Sequence, residues 1–361
     1  MVTIVRCTIG TLFALRHAMR TLCLVSILLA VLIIQGCYRV TEPSHFPEGE
    51  PLPVATQPPS TPIPSPSIET LDRELEKELA KIAESVEGGV GVGVRLIETG
   101  ESAYLDRHGR FPMLSVHKLP IAMAVLKKVD DGELRLYQDI GITPEDFVRP
   151  GYNSPLRYEF PEGVVLPLRD VIGASISESD GTASDVLLKL AGGPEGVQDY
   201  LSQIGLGDTI IIAVSEKSMS TEWEMQYANW ATPDATLRLL QAIHERRAGL
   251  SDQTTQVLLD VMNASRTGER RVLSGLPRGT PYAHKTGTGG RENGVISATN
   301  DVGLITLPDG RHVAIAVFIK DSKSPTVVRL KAMRDIAEAV WEKWAGDSIE
   351  EGRRQPAPFK K

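Results

Sequence analysis

The stretch ATNDVGLITLPDGRHVAIAVFIK, residues 298–320, predicts the centre of a β-sheet. Ala298–Thr306 and Val313–Lys320 are rich in Val, Ile and other residues that fit a pleated, half-buried surface. Leu307-Pro308-Asp309-Gly310 lies between them, and Pro, Asp and Gly each favour a tight turn. The stretch therefore predicts an antiparallel hairpin.

Segments on both sides of this hairpin extend the sheet and add helices. Residues 90–94 and 103–106 have strand-like patterns joined by the turn 98–101, and residues 283–286 predict another strand. Residues 114–263 instead show helical periodicity. The clearest helical segments are 119–129, 168–177, 183–191, 196–204 and 232–247.

The order of these elements predicts an α+β fold. Amphipathic helices at 68–86 and 326–344 flank the strand regions, and the helical block lies between those regions in the chain. We therefore expect an antiparallel five-stranded sheet flanked by the terminal helices, an all-helical lobe, and an active site in the cleft between them. The glycines of residues 90–94 do not indicate a dinucleotide-binding loop, because no helix follows that strand at the required point.

Composition narrows the class of protein. The chain has 361 residues, of which 42% are hydrophobic and 24% charged, so an ordinary buried core is expected. The net charge is −7, and the body of the chain has no large block of Lys and Arg. Binding to phosphate backbones needs clustered positive charge, so nucleic acid is not expected as a partner.

The N-terminus has the pattern of an export signal. Arg6, Arg16 and Arg20 precede an apolar run at 21–34, which is shorter than the ~20 apolar residues that span a bilayer comfortably. The run ends in Ile34-Gln35-Gly36-Cys37, which resembles the lipobox of bacterial lipoproteins, where the cysteine is diacylated and becomes the mature N-terminus. We expect a lipid on Cys37 and export to the cell envelope, on the periplasmic side of a bacterial membrane. The alternative is an ordinary signal anchor with a chance cysteine.

The remaining boundaries follow from composition. Residues 1–36 are expected to be the signal peptide, and the Pro-rich residues 37–67 to be an extended tether. The catalytic domain is expected at 68–349. It would consist of an α/β lobe and a helical lobe, and a flexible tail would follow. Their expected ranges are 68–112 with 264–349 for the α/β lobe, 113–263 for the helical lobe, and 350–361 for the tail.

Ser115-Val116-His117-Lys118 is the first candidate catalytic element. Residues three apart on a helix lie on one face, so the Ser115 hydroxyl and the Lys118 amine are expected one turn apart. A serine needs a neighbouring base to become nucleophilic, and a desolvated lysine can act as that base.

Two further elements contain hydroxyl and amine groups. Ser179-Asp180-Gly181 lies between two helical segments, where its serine could pass a proton to a leaving nitrogen. Taken alone, the same residues also suit a helix N-cap. Lys285-Thr286-Gly287-Thr288 ends a strand, where a lysine and hydroxyls can bind a carboxylate and a glycine permits close approach.

The three elements together match the S-x-x-K, S-D-N and K-T-G motifs of class A β-lactamases and penicillin-binding proteins. The chain resembles the PER and VEB branch of class A along most of its expected folded part, about residues 68–344. The segments that resemble this branch are 154–155, 160–163, 177–180, 284–288, 298–301 and 317–322. The resemblance implies the β-lactamase/transpeptidase-like fold, a β-lactam substrate and no cofactor.

The resemblance also implies a deacylating glutamate. In that branch it lies eleven residues before the tyrosine of a Gln-Tyr-x-Asn-Trp segment, which here is 226–230 and selects Glu216. Glu222 and Glu224 are the alternatives, either of which could be a solvated loop charge.

The resemblance implies a role for each matched residue. Ser115 attacks the lactam carbonyl, and its N–H forms the oxyanion hole with that of Thr288. Either Lys118 or Glu216, through water, is the base for acylation, and Glu216 drives deacylation. Ser179 passes a proton to the lactam nitrogen. The substrate carboxylate is held by Lys285, Thr286 and Thr288.

Three positions depart from the family pattern. Gly181 replaces an Asn that usually orients the lysine and the substrate. Ser220 stands where an Asn commonly helps to hold the water, and Asn153 where an aromatic residue often stacks on the substrate, although Tyr152 is adjacent. These departures put catalytic efficiency and substrate spectrum in doubt. No set of His and carboxylates has metal-ligand spacing along the chain, which disfavours a zinc enzyme.

Three hypotheses follow. The first is a monomeric serine β-lactamase, which Glu216 in register favours. The second is a D-alanyl-D-alanine peptidase of the same superfamily, which would deacylate slowly from β-lactams. The third is a non-hydrolytic sensor of β-lactams or peptidoglycan, against which the complete set of Ser115, Lys118, Ser179 and Lys285 argues.

Overall fold

The hairpin predicted from residues 298–320 lies at the centre of the fold. In this computed structural model, which describes the backbone of residues 69–354 and the side chains of residues 69–346, Val295–Thr306 and His312–Ser322 form the two longest strands. They pair antiparallel, with Thr306 opposite His312. The predicted hairpin is confirmed, and both strands are slightly longer than predicted.

The described residues form twelve strands and ten α-helices. The strands are β1 (Thr70–Leu71), β2 (Gly89–Leu96), β3 (Glu101–Leu105), β4 (Phe111–Pro112), β5 (Asp139–Ile142), β6 (Val164–Pro167), β7 (Ile210–Ile211), β8 (Trp230–Ala231), β9 (Tyr282–Thr288), β10 (Arg291–Glu292), β11 (Val295–Thr306) and β12 (His312–Ser322). The helices are α1 (Arg73–Ala83), α2 (Lys118–Asp130), α3 (Pro155–Glu159), α4 (Leu168–Ser177), α5 (Gly181–Ala191), α6 (Gly193–Gln203), α7 (Glu216–Met219), α8 (Pro233–His244), α9 (Asp252–Asn263) and α10 (Thr326–Arg354). Among these described helices, none is both long and apolar enough to cross a membrane.

The main sheet has the order β1-β3-β2-β12-β11-β10, and β9 also pairs with β11. Strands β3, β2, β12, β11 and β9 pair antiparallel throughout, which confirms the predicted five-stranded sheet. Two short strands extend it: β1 pairs parallel with β3, and β10 pairs antiparallel with β11.

Both faces of this sheet are buried, and alternate residues of β12 face opposite layers. Val313, Ile315 and Val317 belong to a core shared with the terminal helices α1 and α10. Ala316 and Phe318 belong to a second core shared with the helical lobe. The sheet is therefore the middle layer of three, as expected when each face of a sheet must bury its apolar side chains.

The terminal helices lie side by side on the outer face of the sheet. The N-cap residue Asp72 accepts hydrogen bonds from the backbone N–H groups of Glu74 and Leu75, which begins α1. The second carboxylate oxygen of Asp72 lies 2.6 Å from Nζ of Lys343 on α10. The first and last described helices are thus joined by an ion pair.

Glycines in β2 allow the helical lobe to pack closely against the sheet. A Cβ atom at Gly91 would lie 2.3 Å from the ring of Phe111, and one at Gly93 would lie 2.9 Å from Leu237 on α8. Real side chains cannot approach so closely. The glycines of residues 90–94 therefore serve packing, in agreement with the rejection of a dinucleotide-binding loop.

Helix α2 forms the centre of the helical lobe. All of its residues from Lys118 to Leu126 are buried, and it contacts α4, α5, α6 and α9. A helix that is buried on all sides has no polar stripe, which agrees with the weak amphipathicity of this segment. Lys118 is its first residue, so the one charged side chain in this buried stretch lies at the helix terminus.

Several boundaries differ from those predicted. The helix predicted at 68–86 begins only at Arg73, because Thr70–Leu71 form an edge strand before the Asp72 cap. Helix α10 continues past Trp344 to Arg354, which extends it into the segment 350–361 predicted as a flexible tail. The helix predicted at 232–247 ends at His244. The two small sheets, β4-β8-β7 and β5-β6, were not predicted, because strands of two to four residues have no detectable period.

Some predictions lie outside the described residues. These are the signal peptide at 1–36, the tether at 37–67, Ile68 as the first residue of the domain, and the end of the tail at 355–361. Within the described residues, 69–112 and 264–346 contribute the main sheet and terminal helices, whereas 113–263 contribute helices α2 to α9.

Candidate active site

Ser115 lies in a 3-10 turn, Leu114–His117, that leads directly into α2. Lys118 Nζ donates a hydrogen bond of 2.8 Å to Ser115 Oγ. The predicted proximity of the two side chains, one turn apart on one face, is therefore confirmed. Leu114 has a φ of 46°, so the backbone turns sharply just before the serine and presents it to a cleft of about 960 Å³.

Glu216 approaches this pair from the opposite side of the cleft. It is the first residue of α7, and its Oε1 contacts Lys118 Nζ and accepts a 3.5 Å hydrogen bond from Ser115 Oγ. Its position is fixed by Asp185, whose carboxylate accepts from the N–H groups of Glu216 at 2.7 Å and Lys217 at 3.0 Å. The structure thus brings Glu216 to the serine, whereas Glu222 and Glu224 are exposed and do not line the cleft.

The charge of Lys118 decides the protonation of Glu216. Burial raises the pKa of the Glu216 carboxyl, but the charges of Lys118 and His117 and the hydrogen bond from Lys118 outweigh burial, so the pKa lies below its usual value. Glu216 is therefore a carboxylate at neutral pH and can accept a proton.

Ser179 and Lys285 form a second hydroxyl–amine pair. Lys285 Nζ donates hydrogen bonds to Ser179 Oγ at 2.8 Å and to the carbonyl of Thr286 at 2.9 Å. Burial lowers the pKa of Lys285 well below its usual value, and the charge of Lys118 lowers it further. A lysine of this kind gives up a proton more readily than a solvated one.

The loop around Ser179 is held by polar side chains. Ser179 has a φ of 60°, and Asn153 Nδ2 donates to its carbonyl at 3.0 Å and to that of Glu178 at 2.8 Å. Asn153, predicted at a position that often stacks on substrate, thus supports the strained backbone beside the serine. Tyr152 is adjacent, lines the cleft, and its hydroxyl lies 3.5 Å from the carbonyl of Ser220.

Asp180 and Gly181 have structural positions. Asp180 is fully buried, caps α5 through Ala183 N–H, and also accepts from Leu156 N–H at 2.9 Å. The N-cap interpretation therefore holds for Asp180, which does not line the cleft. A Cβ atom at Gly181 would lie 3.2 Å from the carbonyl oxygen of Asn153, so the segment around Asn153 lies close to the position where the family usually has Asn.

The strand β9 brings Lys285 to Thr288 against the serine turn. A Cβ atom at Gly287 would lie 2.4 Å from the carbonyl oxygen of Met113, so only glycine permits this approach. Thr286 and Thr288 line the cleft. Ser220, at the end of α7, uses its hydroxyl to donate to the carbonyl of Lys217 at 2.6 Å.

Arg271 was not predicted, yet its guanidinium lies at the same end of β9. Its nitrogens donate to the carbonyls of Gly287 at 3.0 Å and Asn300 at 2.5 Å, and to Thr288 Oγ1 at 2.5 Å. It is seventeen residues from Thr288 in the chain, and no local pattern marks it. Arg271 therefore gives the cleft a cation that the sequence did not indicate, which suits an anionic substrate.

Gln226 and Asn229 explain why the segment 226–230 has a fixed relation to Glu216. Asn229 Oδ1 accepts from the N–H groups of Ala213 at 2.7 Å and Val214 at 3.0 Å, just before Glu216. Gln226 Oε1 accepts from Gly290 N–H at 2.7 Å, beyond the end of β9. The segment thus joins the loop of Glu216 to the strand of Lys285.

Comparison with known proteins identifies the family. The sequence model of the β-lactamase enzyme family matches residues 74–344. β-Lactamase VEB-1 from Pseudomonas aeruginosa is 38% identical over 268 residues, covering 74% of this chain and 89% of that protein. The extended-spectrum β-lactamase PER-1 from the same organism is 32% identical over 268 residues, covering 74% of this chain and 86% of that protein.

Solved structures agree with these relatives. A β-lactamase from Chitinophaga pinensis superposes with a TM-score of 0.73 at 38% identity, covering 75% of this chain and 99% of that chain. The TLA-3 extended-spectrum β-lactamase gives a TM-score of 0.73 at 34% identity, covering 75% of this chain and 98% of that chain. The predicted fold and reaction class are thereby confirmed. The chain belongs to the β-lactamase enzyme family, and it is a class A serine β-lactamase, which hydrolyses the amide bond of β-lactams.

Proposed function

We propose that hydrolysis proceeds through an acyl-enzyme on Ser115 and that Glu216 activates the water that releases it. The observation that supports this proposal is the contact of one serine hydroxyl with both a lysine and a carboxylate. Ser115 Oγ lies 2.8 Å from Lys118 Nζ and 3.5 Å from Glu216 Oε1. A nucleophile needs a base within hydrogen-bond reach, and both candidate bases are in reach here.

For acylation, Glu216 is the better base of the two. Its contact with Lys118 favours the carboxylate form of the glutamate and lowers its pKa. Glu216 then takes the Ser115 proton, directly or through a water molecule, while Oγ attacks the carbonyl carbon of the lactam. Lys118 keeps the carboxylate in place and compensates its burial.

Ser179 is positioned to complete the first half of the reaction. When the C–N bond of the lactam breaks, the nitrogen needs a proton, and the Ser179 hydroxyl can supply it. Lys285, 2.8 Å away and with a lowered pKa, can then return a proton to Ser179. The proton that Glu216 took from Ser115 passes through solvent in the cleft to Lys285, which restores the Glu216 carboxylate before deacylation. This relay leaves the ring-opened acyl group on Ser115.

The substrate carboxylate is proposed to bind at the end of β9. Thr286 and Thr288 line the cleft there, and Arg271 donates to Thr288 Oγ1 at 2.5 Å. Arg271, which lines the cleft, supplies positive charge at this site, and hydroxyl groups beside a cation suit a carboxylate.

The deacylation step is the most direct test of these roles. Purified full-length enzyme is mixed with a chromogenic cephalosporin, and hydrolysis and intact protein mass are followed together for the wild type, Glu216→Gln and Glu222→Gln. We expect turnover by the wild type and Glu222→Gln. In Glu216→Gln, with Lys118 as the remaining base 2.8 Å from Ser115 Oγ, we expect an adduct on Ser115 that forms more slowly and is not released. Turnover by Glu216→Gln at the wild-type rate would contradict the assignment. A long-lived adduct on the wild type would instead mean that this chain traps β-lactams without efficient release.

We also propose that the enzyme is exported and lipid-anchored through Cys37, facing the periplasm, and acts as a monomer. The lipobox-like residues 34–37 support the anchor. The proposal of a monomer rests on Ser115, Lys118, Ser179 and Glu216 meeting in one cleft, so that the reaction needs no residue of a second copy. Growth with a labelled fatty acid, followed by membrane fractionation, tests the anchor. Cys37→Ala is expected to lose the label and leave the membrane fraction, whereas the control Cys23→Ala keeps both.

A further inference from the structure

Three side chains with metal-binding atoms meet at one end of the main sheet. Glu98 follows β2 in the turn to β3, His244 ends α8, and His312 begins β12. One ligand atom from each residue lies within 4.8 Å of those from the other two. Within residues 69–346, this is the one such group of His, Cys, Asp and Glu side chains.

We propose that Glu98, His244 and His312 bind a divalent transition-metal ion, with zinc(II) as the best match. Two imidazoles and one carboxylate are a common set of protein ligands for zinc, with water in the fourth position. Calcium and magnesium prefer oxygen ligands, so two histidines favour zinc and its first-row neighbours.

The distances within the group agree with this ligand set. Tetrahedral zinc with bonds near 2.0–2.1 Å separates its ligand atoms by roughly 3.3 Å. Here His312 Nδ1 lies 2.9 Å from Glu98 Oε1, and His244 Nε2 lies 3.9 Å from the same oxygen. These two distances bracket the required separation, and the ligand atoms of the two histidines lie within 4.8 Å of each other.

The carboxylate is already oriented. Both oxygens of Glu98 accept from the backbone N–H of His312, at 3.1 and 2.9 Å, and carboxylate oxygens have lone pairs left for a metal. Hydrogen bonds to a ligating group fix its direction and are a regular feature of metal sites. Glu98 is thus held in place by the same residue that provides one of the imidazoles.

The site is accessible but not fully solvated. The side chains of Glu98, His244 and His312 are 36%, 27% and 28% exposed. Arg246, whose charge acts on His244, is bound to the carbonyl of Asp252 at 2.9 Å and to Gln256 at 3.2 Å. Its guanidinium is therefore engaged elsewhere.

The proposed site is separate from the cleft. His312 pairs with Thr306 and Lys285 pairs with Val302, so the two sites are about 13 Å apart along β11. A metal there would join the β2–β3 turn and β12 of the sheet to α8 of the helical lobe. Its effect would be on stability rather than on the reaction, since binding to the folded state alone stabilises that state. The residues are distant in sequence, which is why their spacing along the chain gave no indication.

Cobalt(II) titration of the full-length protein tests the proposal. The protein is treated with a chelator and dialysed, then titrated with cobalt(II) while the visible d–d absorption is recorded, and zinc(II) is added as a competitor. We expect one cobalt per chain, displacement by zinc, and a Tm that rises with zinc concentration. His244→Ala, His312→Ala and Glu98→Gln are each expected to weaken binding at least about tenfold.

The exposed His108 provides a matched control. His108→Ala should bind cobalt as the wild type does. Every variant should also hydrolyse the chromogenic cephalosporin at the wild-type rate, which shows that it is folded. The proposal is overturned if the wild type binds no cobalt. It is equally overturned if the His244→Ala/His312→Ala double variant binds cobalt as tightly as the wild type.

Discussion

Two buried polar clusters of this enzyme differ in how completely their hydrogen bonds are satisfied. In the first, here called the Arg95 cluster, the guanidinium donates to Ser102 at 2.9 Å, Gln241 at 2.7 Å, Glu69 at 2.6 Å and Tyr104 at 2.9 Å. Each of its three nitrogens has an acceptor, and the Glu69 carboxylate balances its charge. This cluster joins β2 and β3 to α8.

The second cluster, here called the cleft cluster, consists of Ser115, His117, Lys118, Glu216 and Lys285. The cluster has two buried lysines but one buried carboxylate, and burial together with the charge of Lys118 lowers the pKa of Lys285. His117 Nδ1 donates to the carbonyl of Leu114 at 2.6 Å, but its Nε2 has no hydrogen-bond partner among the described residues and lies 3.9 Å from Glu216.

The difference separates stability from activity. A fully paired buried charge is tolerated by the fold, whereas unbalanced charges are costly and persist where they have a chemical use. Removing a member of the Arg95 cluster should therefore affect unfolding, and removing a member of the cleft cluster should affect hydrolysis.

The largest effect is expected for Lys118→Met. Without the ammonium, the pKa of Glu216 rises, because burial is then opposed only by weaker partners. We expect kcat/KM to fall about 10³-fold and the acid limb of its pH profile to move to higher pH. Steady-state kinetics from pH 4 to 9 would measure both. A fall in rate with an unmoved acid limb would contradict the role of Lys118 in setting the pKa.

Arg95→Met is expected to lower the stability of the fold and to leave activity unchanged. It leaves Glu69 and its hydroxyl and amide neighbours without their donor, which should lower the free energy of unfolding by about 3 kcal/mol. Urea denaturation would measure the change, and kcat should be unaffected. Lys77→Met, in an exposed pair with Glu74, is the matched control and should cost less than about 1 kcal/mol.

Asp185→Asn tests the raised pKa of the carboxyl group that holds the backbone of Glu216 in place. Burial raises the pKa of Asp185 to about 6, above its unfolded value of 3.8, so the folded state binds more protons between these values. The contribution of Asp185 to stability is therefore present below pH 4 and is lost as pH rises through 6. Between pH 4 and 7, the wild type should lose about 2 kcal/mol of unfolding free energy relative to Asp185→Asn. Parallel pH slopes for both proteins would contradict the raised pKa.

The smallest effect is expected for His117→Leu. The variant loses the hydrogen bond to Leu114 but also removes a buried nitrogen without a partner, and each change is worth about 1 kcal/mol. The two nearly cancel, so urea denaturation should show a change below about 1 kcal/mol. A fall in the free energy of unfolding by more than about 2 kcal/mol would instead mean that His117 stabilises the fold as the Arg95 cluster does.

The residues of the cleft that were predictable are those with a local pattern. Ser115 and Lys118 are one helical turn apart, and Lys285 to Thr288 end a strand, so their spacing marked them as candidates, and the resemblance to class A β-lactamases implied their roles. Glu216 was selected because it lies eleven residues before Tyr227, as in the family that the chain resembles. The alternatives Glu222 and Glu224 could be rejected only because they are exposed in the structure.

The residues that sequence analysis missed reach the cleft from segments that are distant in the chain. Arg271 reaches Thr288 from a separate loop, and Asp185 reaches Glu216 from α5, so neither contact has a signature in sequence. The two long strands of the sheet were predicted because they are rich in Val and Ile and are separated by a turn sequence. The boundaries of α1 and α10 were not predicted correctly. The end of a helix depends on a capping residue such as Asp72, or on packing beyond the periodic region.

The ion pair between Asp72 and Lys343 has a consequence for the connectivity of the chain. Since α1 and α10 lie side by side, a short linker could join the ends of the domain, and new termini could be opened elsewhere. The exposed turn at Arg278–Gly279 is a suitable place, because it precedes β9 and lies outside every strand pairing. In such a circular permutant, Lys285 would come before Ser115 in the sequence. The order in which the motifs occur is thus a record of ancestry, whereas their meeting in space is what the chemistry requires.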